Sequence, residues 1–322
     1  MKIVVSGASR IEEVPGLEGA AEQAGIVFAP DASELARHLP GSDILLGWNF
    51  RGRDLENQWQ HADQLKWIHW CGAGVDAVLF PALVSSDVML TNARGIFDRA
   101  MAEYVLGYML SEVKGFRRSW EMEAARTWDF RMTDKLAGSG AVIFGTGSIG
   151  REIGKLLKAV GVEIAGVGRT RRSGDPVFGE VYASSDAQSA VADADWVIGV
   201  MPLTENTRDF FDALIFKGMK PSARFINVGR GKSVDEAALA AALTEGRVAG
   251  AMLDVFREEP LPADSPLWGV ANLTISPHMS GDYKSSQADM AALFLENLDR
   301  FVAGKQLLNL VDKQLGFVQG RS

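Results

Sequence analysis

Residues 141–150 read Ala-Val-Ile-Phe-Gly-Thr-Gly-Ser-Ile-Gly, and this stretch decides the fold class. An apolar run that suits a buried strand ends at Phe144, and the pattern Gly-x-Gly-x-x-Gly follows at once. The first glycine permits a tight turn, the second lets a pyrophosphate approach the backbone, and the third lets the next helix pack closely. The stretch predicts a dinucleotide-binding unit, and a glycine turn that binds nothing is the alternative. The predicted contacts are Gly145, Thr146, Gly147, Ser148, Ile149 and Gly150.

Strand and helix patterns alternate on both sides of this stretch. Strands are predicted at 2–5, 26–28, 43–46, 65–70, 162–167, 195–200, 224–228, 250–253 and 273–276. Helices are predicted at 16–25, 31–39, 151–160 and 235–244, and two longer ones at about 99–113 and 282–302. Such alternation indicates parallel sheets that are covered by helices on both faces.

The length of 322 residues leaves room for two domains. The last long helix carries the chain back to the first series of strands. We therefore predict an α/β fold of two Rossmann-like, doubly wound parallel-sheet domains with a cleft between them. Residues 98–285 form the dinucleotide-binding (Rossmann) domain, and residues 1–97 with 286–322 form a flavodoxin-like, substrate-binding domain.

Composition excludes several classes of function. Lys and Arg number 33 against 41 Asp and Glu, and the formal charge of −8 argues against binding to nucleic acid or to an anionic membrane surface. One cysteine, Cys71, favours a reducing compartment, and the four scattered histidines show no metal-ligand spacing. No apolar run approaches the length of a membrane span, and no secretory signal is visible. We expect a cytoplasmic protein without a metal.

The strand predicted at 162–167 ends without the carboxylate that NAD-binding units use for the ribose hydroxyls. Gly168 stands near that position, and three arginines lie within the next four residues. A 2′-phosphate suits guanidinium donors. The pattern therefore favours NADP(H), with NAD(H) possible, and a solvated basic loop is the alternative. The candidate contacts are Arg169, Thr170 and Arg171.

Arg230 lies between two glycines after a predicted strand, which places it at the ligand crevice of an open α/β sheet. The run Asn-Val-Gly-Arg-Gly-Lys-Ser-Val-Asp-Glu begins at Asn227, and Ala-Gly-Ala-Met-Leu-Asp-Val-Phe, Glu-Pro-Leu and Pro-His follow in order. Gly-Ala-Gly-Val-Asp from Gly72 and Ala-Glu-Tyr-Val-Leu from Ala102 precede them. Over essentially the whole chain, these motifs resemble the D-2-hydroxyacid dehydrogenase family, in its glyoxylate/hydroxypyruvate reductase-like form.

The resemblance implies a role for each of three catalytic candidates. Arg230 holds a 2-keto acid through its carboxylate and keto oxygen, His278 protonates the carbonyl oxygen, and Glu259 hydrogen-bonds the other ring nitrogen of His278. Hydride transfer to a carbonyl leaves an alkoxide that needs a proton donor, and a carboxylate partner favours the imidazolium form. Glu258 is the rival of Glu259. His69 is interpreted as lining or supporting the substrate loop, not as the acid.

Other contacts follow from the same resemblance. The glycine-rich loop after residue 71 offers backbone N–H groups to the substrate carboxylate, and an ordinary turn is the alternative. Asp254 faces the nicotinamide, or only caps the end of its strand. The bulky residues near 48–50 and 70–71 either shape the substrate pocket or belong to the core. The predicted substrate contacts are Trp48, Cys71, Gly72, Ala73, Gly74 and Arg230, and the further cofactor contacts are Met201, Pro202, Leu203, Thr207 and Asp254.

The sequence thus predicts an NAD(P)H-dependent reductase that converts small 2-keto acids of the glyoxylate/hydroxypyruvate type into D-2-hydroxy acids. A non-catalytic nicotinamide-nucleotide sensor or corepressor on the same fold is the alternative, and an enzyme that acts on formate or phosphonate is a further one. The resemblance also implies a homodimer through the cofactor domain, helped by the segment Phe116–Phe130.

Overall fold

The computed structural model describes residues 1–319. The chain divides into two compact units: unit 1 comprises residues 1–97 with 283–319, and unit 2 comprises residues 98–282. The boundaries predicted from the sequence lie after residues 97 and 285, and the two units divide after residues 97 and 282. Each unit has its own sheet, so the expected α/β class with two parallel-sheet units is confirmed.

Unit 1 contains a five-stranded parallel sheet in the order β2-β1-β3-β4-β5. Its strands are β1 Lys2–Ser6, β2 Gly25–Ala29, β3 Ile44–Gly47, β4 Trp67–Trp70 and β5 Met89–Asn92. Its helices are α1 Ala32–His38, α2 Asp54–Gln58, α3 Pro81–Val84 and, at the end of the chain, α10 Ser286–Val302. Every residue of β3 and β4 is buried, as expected for parallel strands that are covered on both faces.

The core of unit 1 depends on aromatic contacts with α10. Trp67 stacks on Phe294 and on Phe301, each with 5.4 Å between ring centroids. His69 is fully buried against Phe294, and its Nδ1 lies 2.9 Å from Thr91 Oγ1. Burial lowers the pKa of His69 to about 3, so its ring is neutral. His69 is therefore a core residue that ties β4 to β5. Its buried ring does not line the substrate loop, and its support of that loop stays a prediction.

Unit 2 contains an eight-stranded sheet in the order β13-β12-β11-β10-β6-β7-β9-β8, in which only the β8–β9 pair is antiparallel. Its strands are β6 Gly140–Phe144, β7 Glu163–Gly168, β8 Arg172–Asp175, β9 Gly179–Ala183, β10 Trp196–Gly199, β11 Arg224–Asn227, β12 Gly250–Leu253 and β13 Leu273–Ile275. Its helices are α4 Asp98–Lys114, α5 Phe116–Ala124, α6 Ser148–Ala159, α7 Ala187–Val191, α8 Ala213–Gly218 and α9 Glu236–Thr244. The carboxyl ends of β6, β10, β11, β12 and β13 all lie at one edge, which is where the candidate site forms.

Two predicted helices are wrong in extent. Residues 16–25 form only a 3₁₀ turn at Leu17–Ala20, because Gly16 adopts a left-handed φ of +82° and glycine disfavours helix. The last helix begins at Ser286 and not at 282, because the backbone N–H of Ser286 closes a separate turn onto the Tyr283 carbonyl. The β8–β9 hairpin was not predicted, since its polar and glycine-containing strands lack an apolar pattern.

Candidate active site

The glycine loop lies between β6 and α6, as the sequence predicts. Gly145 has a φ of +112°, and a Cβ there would lie 2.7 Å from the Val200 carbonyl oxygen. A Cβ on Gly150 would lie 1.9 Å from the Gly145 carbonyl oxygen, so both positions require glycine. At Gly147, the N-cap of α6, a Cβ would meet nothing within 4 Å, and no side chain caps the helix. The start of α6 therefore has the room and the N–H donors that a pyrophosphate needs.

The end of β7 carries a glycine where NAD-binding units carry an acid. A Cβ on Gly168 would lie 3.3 Å from Thr146 Oγ1 and 3.7 Å from Arg172 Nη1. Arg172 donates a hydrogen bond of 3.0 Å to Thr146 Oγ1. The structure thus brings Arg172 to the glycine loop, although the sequence analysis selected residues 169–171. Only the unpredicted strand β8 turns this last member of the basic run back toward the loop.

Asp175 fixes the position of Arg172. Its carboxylate accepts hydrogen bonds from Arg151 at 2.7 and 3.0 Å and from Arg172 Nε at 3.3 Å. The backbone N–H groups of Val177 and Phe178 also donate to it. Burial would raise the pKa of Asp175, but Arg151 and the two N–H groups outweigh it and hold that pKa far below its ordinary value. An ionised Asp175 shared by two arginines therefore anchors the β8–β9 hairpin beside α6.

The other predicted cofactor residues occupy two loops of unit 2. Arg169, Thr170 and Arg171 lie between β7 and β8, and Met201, Pro202, Leu203 and Thr207 lie after β10. Arg171 has its guanidinium 3.9 Å from the Asp186 carboxylate and 5.6 Å from the centre of the Tyr182 ring. The Thr207 hydroxyl donates to the Pro202 carbonyl at 2.7 Å and accepts from the Thr204 N–H at 2.8 Å. Thr207 thus stabilises the loop after β10.

The three catalytic candidates follow three neighbouring strands. Arg230 comes after β11, Glu259 after β12 and His278 after β13, at the same edge of the sheet. His278 Nδ1 lies 2.7 Å from Glu259 Oε2, and the backbone N–H of Phe256 donates to Glu259 Oε1 at 2.8 Å. Glu259, and not its neighbour Glu258, is thus the partner of His278.

Electrostatics at this pair favour a charged carboxylate. Loss of solvent contact would raise the pKa of Glu259, but hydrogen bonds from His278 and from the Phe256 N–H outweigh it, with help from the Arg230 charge. The pKa of Glu259 therefore lies below its ordinary value. Since an ionised carboxylate only accepts hydrogen bonds, His278 Nδ1 is the donor of this bond, and Nε2 is the ring atom that exchanges a proton.

A compact turn holds the backbone of Arg230. Its carbonyl accepts hydrogen bonds from Asn227 Nδ2 at 3.0 Å and from Ser233 Oγ at 2.6 Å. A Cβ on Gly231 would lie 1.9 Å from the carbonyl carbon of Phe256, so only glycine lets the two backbones approach this closely. The turn that carries Arg230 and the turn that carries Glu259 are therefore packed against each other without an intervening side chain.

Asp254 is fully buried at the end of β12 and anchors the turn of His278. Its carboxylate accepts hydrogen bonds from Ser276 Oγ at 2.6 Å and from the N–H groups of Met279 and Ser280 at 2.9 Å each. His278 sits between these donors with a left-handed φ of +51°. The structure therefore gives Asp254 a strand-end anchoring role, which the sequence left as the alternative to a nicotinamide contact.

The predicted substrate residues of unit 1 lie after β3 and β4. Trp48 is 9% exposed, and the Cys71 side chain is fully buried, which raises the pKa of its thiol. The Cys71 thiol is therefore closed to solvent, and the substrate contact at this residue stays a prediction. The turn Gly72–Gly74 is held from behind, because Asn92 Nδ2 donates to the Ala73 carbonyl at 2.6 Å. This hydrogen bond fixes the loop at Ala73.

Two features are missing from residues 1–319. Among them, no three His, Cys, Asp or Glu side chains come together in a group that could hold a metal ion. In the same range, no helix combines the length and the apolar character that a membrane crossing requires.

Known proteins resemble this chain both in sequence and in structure. A family model described as "D-isomer specific 2-hydroxyacid dehydrogenase, NAD binding domain" matches residues 106–280. A glyoxylate reductase of Aeropyrum pernix is 32% identical over 79% of this chain and 78% of its own length. A crystal structure of an NADPH-dependent glyoxylate/hydroxypyruvate reductase from Sinorhizobium meliloti, in complex with NADP and sulfate, superposes with a TM-score of 0.85 at 29% identity, over 98% of this chain and all of that one. A family protein from Aeromonas salmonicida is 34% identical, with a TM-score of 0.83 over 97% of this chain and 98% of its own.

Proposed function

The chain belongs to the D-isomer specific 2-hydroxyacid dehydrogenases, and from that premise we propose that it reduces small 2-keto acids of the glyoxylate/hydroxypyruvate type to D-2-hydroxy acids, with NADP(H) preferred over NAD(H). The observation that carries the proposal is the 2.7 Å contact between His278 Nδ1 and Glu259 Oε2, with Arg230 on the neighbouring turn. A proton donor, its carboxylate partner and a guanidinium for the substrate carboxylate are the groups that this reduction needs.

Each of these residues has a separate task in the proposed reaction. The nicotinamide, when bound, supplies the hydride. Arg230 binds the carboxylate of the 2-keto acid and polarises its keto oxygen. His278 holds a proton on Nε2 and transfers it to that oxygen as the alkoxide forms, while Glu259 orients the ring and stabilises its cationic form.

The cofactor preference rests on the surroundings of the glycine loop. A pyrophosphate fits the start of α6, and Gly168 leaves the end of β7 without a carboxylate that would bind the ribose hydroxyls of NAD(H) and repel the 2′-phosphate of NADP(H). Arg172 lies against Thr146, and residues 169–171 continue the basic run. The Sinorhizobium reductase and a probable 2-hydroxyacid dehydrogenase from Rhizobium etli are described in complex with NADP. We assign the 2′-phosphate to this arginine cluster.

Two further assignments extend the proposal. In unit 1, the backbone N–H groups of Gly72, Ala73 and Gly74 bind the substrate carboxylate, a role that glycine-rich turns suit. In unit 2, the side chains of α5 and the segment after it form the contact with a second copy of the chain, since Trp120, Trp128 and Phe130 are 62%, 97% and 83% exposed. A cytoplasmic location agrees with a single, reduced cysteine.

The test is oxidation of NADPH and of NADH, followed at 340 nm, with glyoxylate, hydroxypyruvate, pyruvate and phenylpyruvate. We expect turnover with at least one of these acids, faster with NADPH than with NADH at equal concentration. Binding of NADPH without turnover of any of the four acids would contradict the reductase and leave the sensor as the function. Equal rates with both cofactors would contradict only the NADP(H) preference.

A further inference from the structure

A second carboxylate, for which the sequence predicts no role, lies beside the Glu259–His278 pair. Glu236 is the first residue of α9, and its Oε1 accepts a 2.7 Å hydrogen bond from the backbone N–H of Arg257. The preceding N–H, that of Phe256, donates to Glu259 Oε1 at 2.8 Å. Because consecutive residues are about 3.8 Å apart, the two carboxylates lie within roughly 9 Å of one another.

The contact with Glu236 also joins the two catalytic turns. Glu236 stands six residues after Arg230 on one segment, and Arg257 stands two residues before Glu259 on the other. The Arg257 side chain adds to the same connection, because its guanidinium contacts the Asp209 carboxylate and donates to the Val234 carbonyl at 3.0 Å. The turn of Glu259 is therefore held to the start of α9 by one carboxylate and one guanidinium.

The groups around the two carboxylates shift their pKa values in opposing directions. Burial raises the pKa of Glu236, the N–H and guanidinium of Arg257 lower it, and the negative charges of Asp235 and Glu259 raise it further, so the net pKa lies above the ordinary value. Glu259 in turn has the positive groups of His278 and Arg230 beside it. Since charge coupling acts equally in both directions, an ionised Glu236 adds negative potential at the pair.

We propose that Glu236 is a positioning residue of the reaction: it seats the turn that carries Glu259, and its charge favours the protonated ring of His278. The inference rests on the proposed reductase function. In this proposal Glu236 contacts neither substrate nor cofactor, and it acts through the turn of Glu259 and through its charge at the Glu259–His278 pair. Its ionised form extends the pH range over which His278 stays loaded with the proton that reduction consumes.

Three variants separate the effect of the hydrogen bond that Glu236 accepts from the effect of its negative charge. Glu236→Gln keeps an oxygen acceptor for the Arg257 N–H and removes the charge, whereas Glu236→Ala removes both. Glu245→Gln is the matched control, because Glu245 follows the last residue of the same helix and pairs with Arg247 on the surface. It makes the same change in charge about 13 Å away along α9.

The first measurement is the pH dependence of 2-keto acid reduction by each variant, with the most active acid of the panel. For Glu236→Gln we expect the midpoint of the high-pH fall in kcat to move down by about half a pH unit, with kcat on the low-pH plateau within about two-fold of the unmodified enzyme. Glu236→Ala should show the same shift and a further loss of kcat of about five-fold or more. A midpoint for Glu236→Gln that coincides with that of Glu245→Gln would overturn the proposal.

The second measurement does not depend on turnover. The His278 ring proton is followed by NMR against pH in the unmodified protein, in Glu236→Gln and in Glu245→Gln, with His278→Ala to identify the signal. A downward move of the midpoint in Glu236→Gln alone supports the charge coupling, and equal midpoints in all three overturn it. If no 2-keto acid is reduced at all, the proposed function fails, yet this titration still decides the role of Glu236.

Discussion

The contact between His278 and Glu259 makes a specific prediction at the scale of single residues. His278→Ala removes the proton donor but leaves the glycine loop and Arg172 in place. We therefore expect kcat for 2-keto acid reduction to fall by about 10²–10⁴-fold, while the Kd for NADPH stays within about two-fold. Initial rates and fluorescence titration with NADPH provide the two values. A kcat near that of the unmodified enzyme would exclude His278 as the acid.

Gly231 carries a second prediction, because the Phe256 backbone occupies the space of its missing side chain. In Gly231→Ala, the new methyl group would lie 1.9 Å from a backbone carbon, so the two catalytic turns must separate. We expect a loss of about 3 kcal/mol of stability and a Tm lower by at least about 5 °C. The measurement is thermal unfolding monitored by circular dichroism.

Gly107→Ala is the control for that variant. Gly107 lies within α4, and a Cβ there would meet nothing within 4 Å. Alanine in a helix interior is more stable than glycine by about 0.5–1 kcal/mol, so this variant should unfold at the same temperature or slightly higher. If both variants unfold at the same temperature, the close approach of the Phe256 backbone is not the reason why position 231 requires glycine.

The sequence identifies some of these residues and misses others for a physical reason. Arg230, Glu259 and His278 each follow a predicted strand within a local motif, so their common edge can be inferred from parallel-strand topology. Glu236 and Gly231 take their roles from the path of the turn after β12, which no local pattern describes. Asp254 was identified, but its three donors come from residues 276–280, and only the folded turn shows that they surround it.

At the scale of elements, the β8–β9 hairpin determines which arginine reaches the glycine loop. Arg172 is held there by Asp175, so Arg172→Ala should weaken NADPH about ten-fold or more while changing NADH little, since one charge-assisted contact with the 2′-phosphate is lost. Arg247→Ala, which removes an exposed arginine at the end of α9, is the control. Equal weakening of both nucleotides, measured by calorimetry, would show that Arg172 does not read the phosphate.

Strongly apolar elements were predictable and weakly apolar ones were not. β10 and β12 are buried throughout and β6 and β11 are buried except at their first residue, and the positions of all four agree with the prediction within about two residues. The hairpin strand Arg172–Asp175 consists of polar residues and glycine, and the ion pair between Asp175 and Arg151 holds its end to α6. Tertiary ion pairing, which is not visible in a local pattern, fixes this element.

At the scale of the whole molecule, the exposed aromatic side chains near α5 predict the oligomeric state. Trp128 and Met132 are 97% and 88% exposed, and exposing such large apolar side chains to water is unfavourable in a monomer. We expect the unmodified protein to sediment with twice the chain mass of 34.8 kDa, and Trp128→Glu with Met132→Glu to sediment as the single chain. Leu214→Glu, at a 58% exposed residue of α8, should leave the mass unchanged. A single-chain mass for the unmodified protein would refute the dimer.

The order of the chain has a consequence for biosynthesis. The sheet of unit 1 depends on Phe294 and Phe301 against Trp67, yet these partners are separated by the whole of unit 2. A ribosome therefore releases the first 97 residues long before α10 exists, and unit 2 is the first part of the chain that can finish folding. Until α10 is synthesised, Trp67 of the nascent β4 lacks its aromatic partners, and this is the interval in which we expect chaperone binding to unit 1.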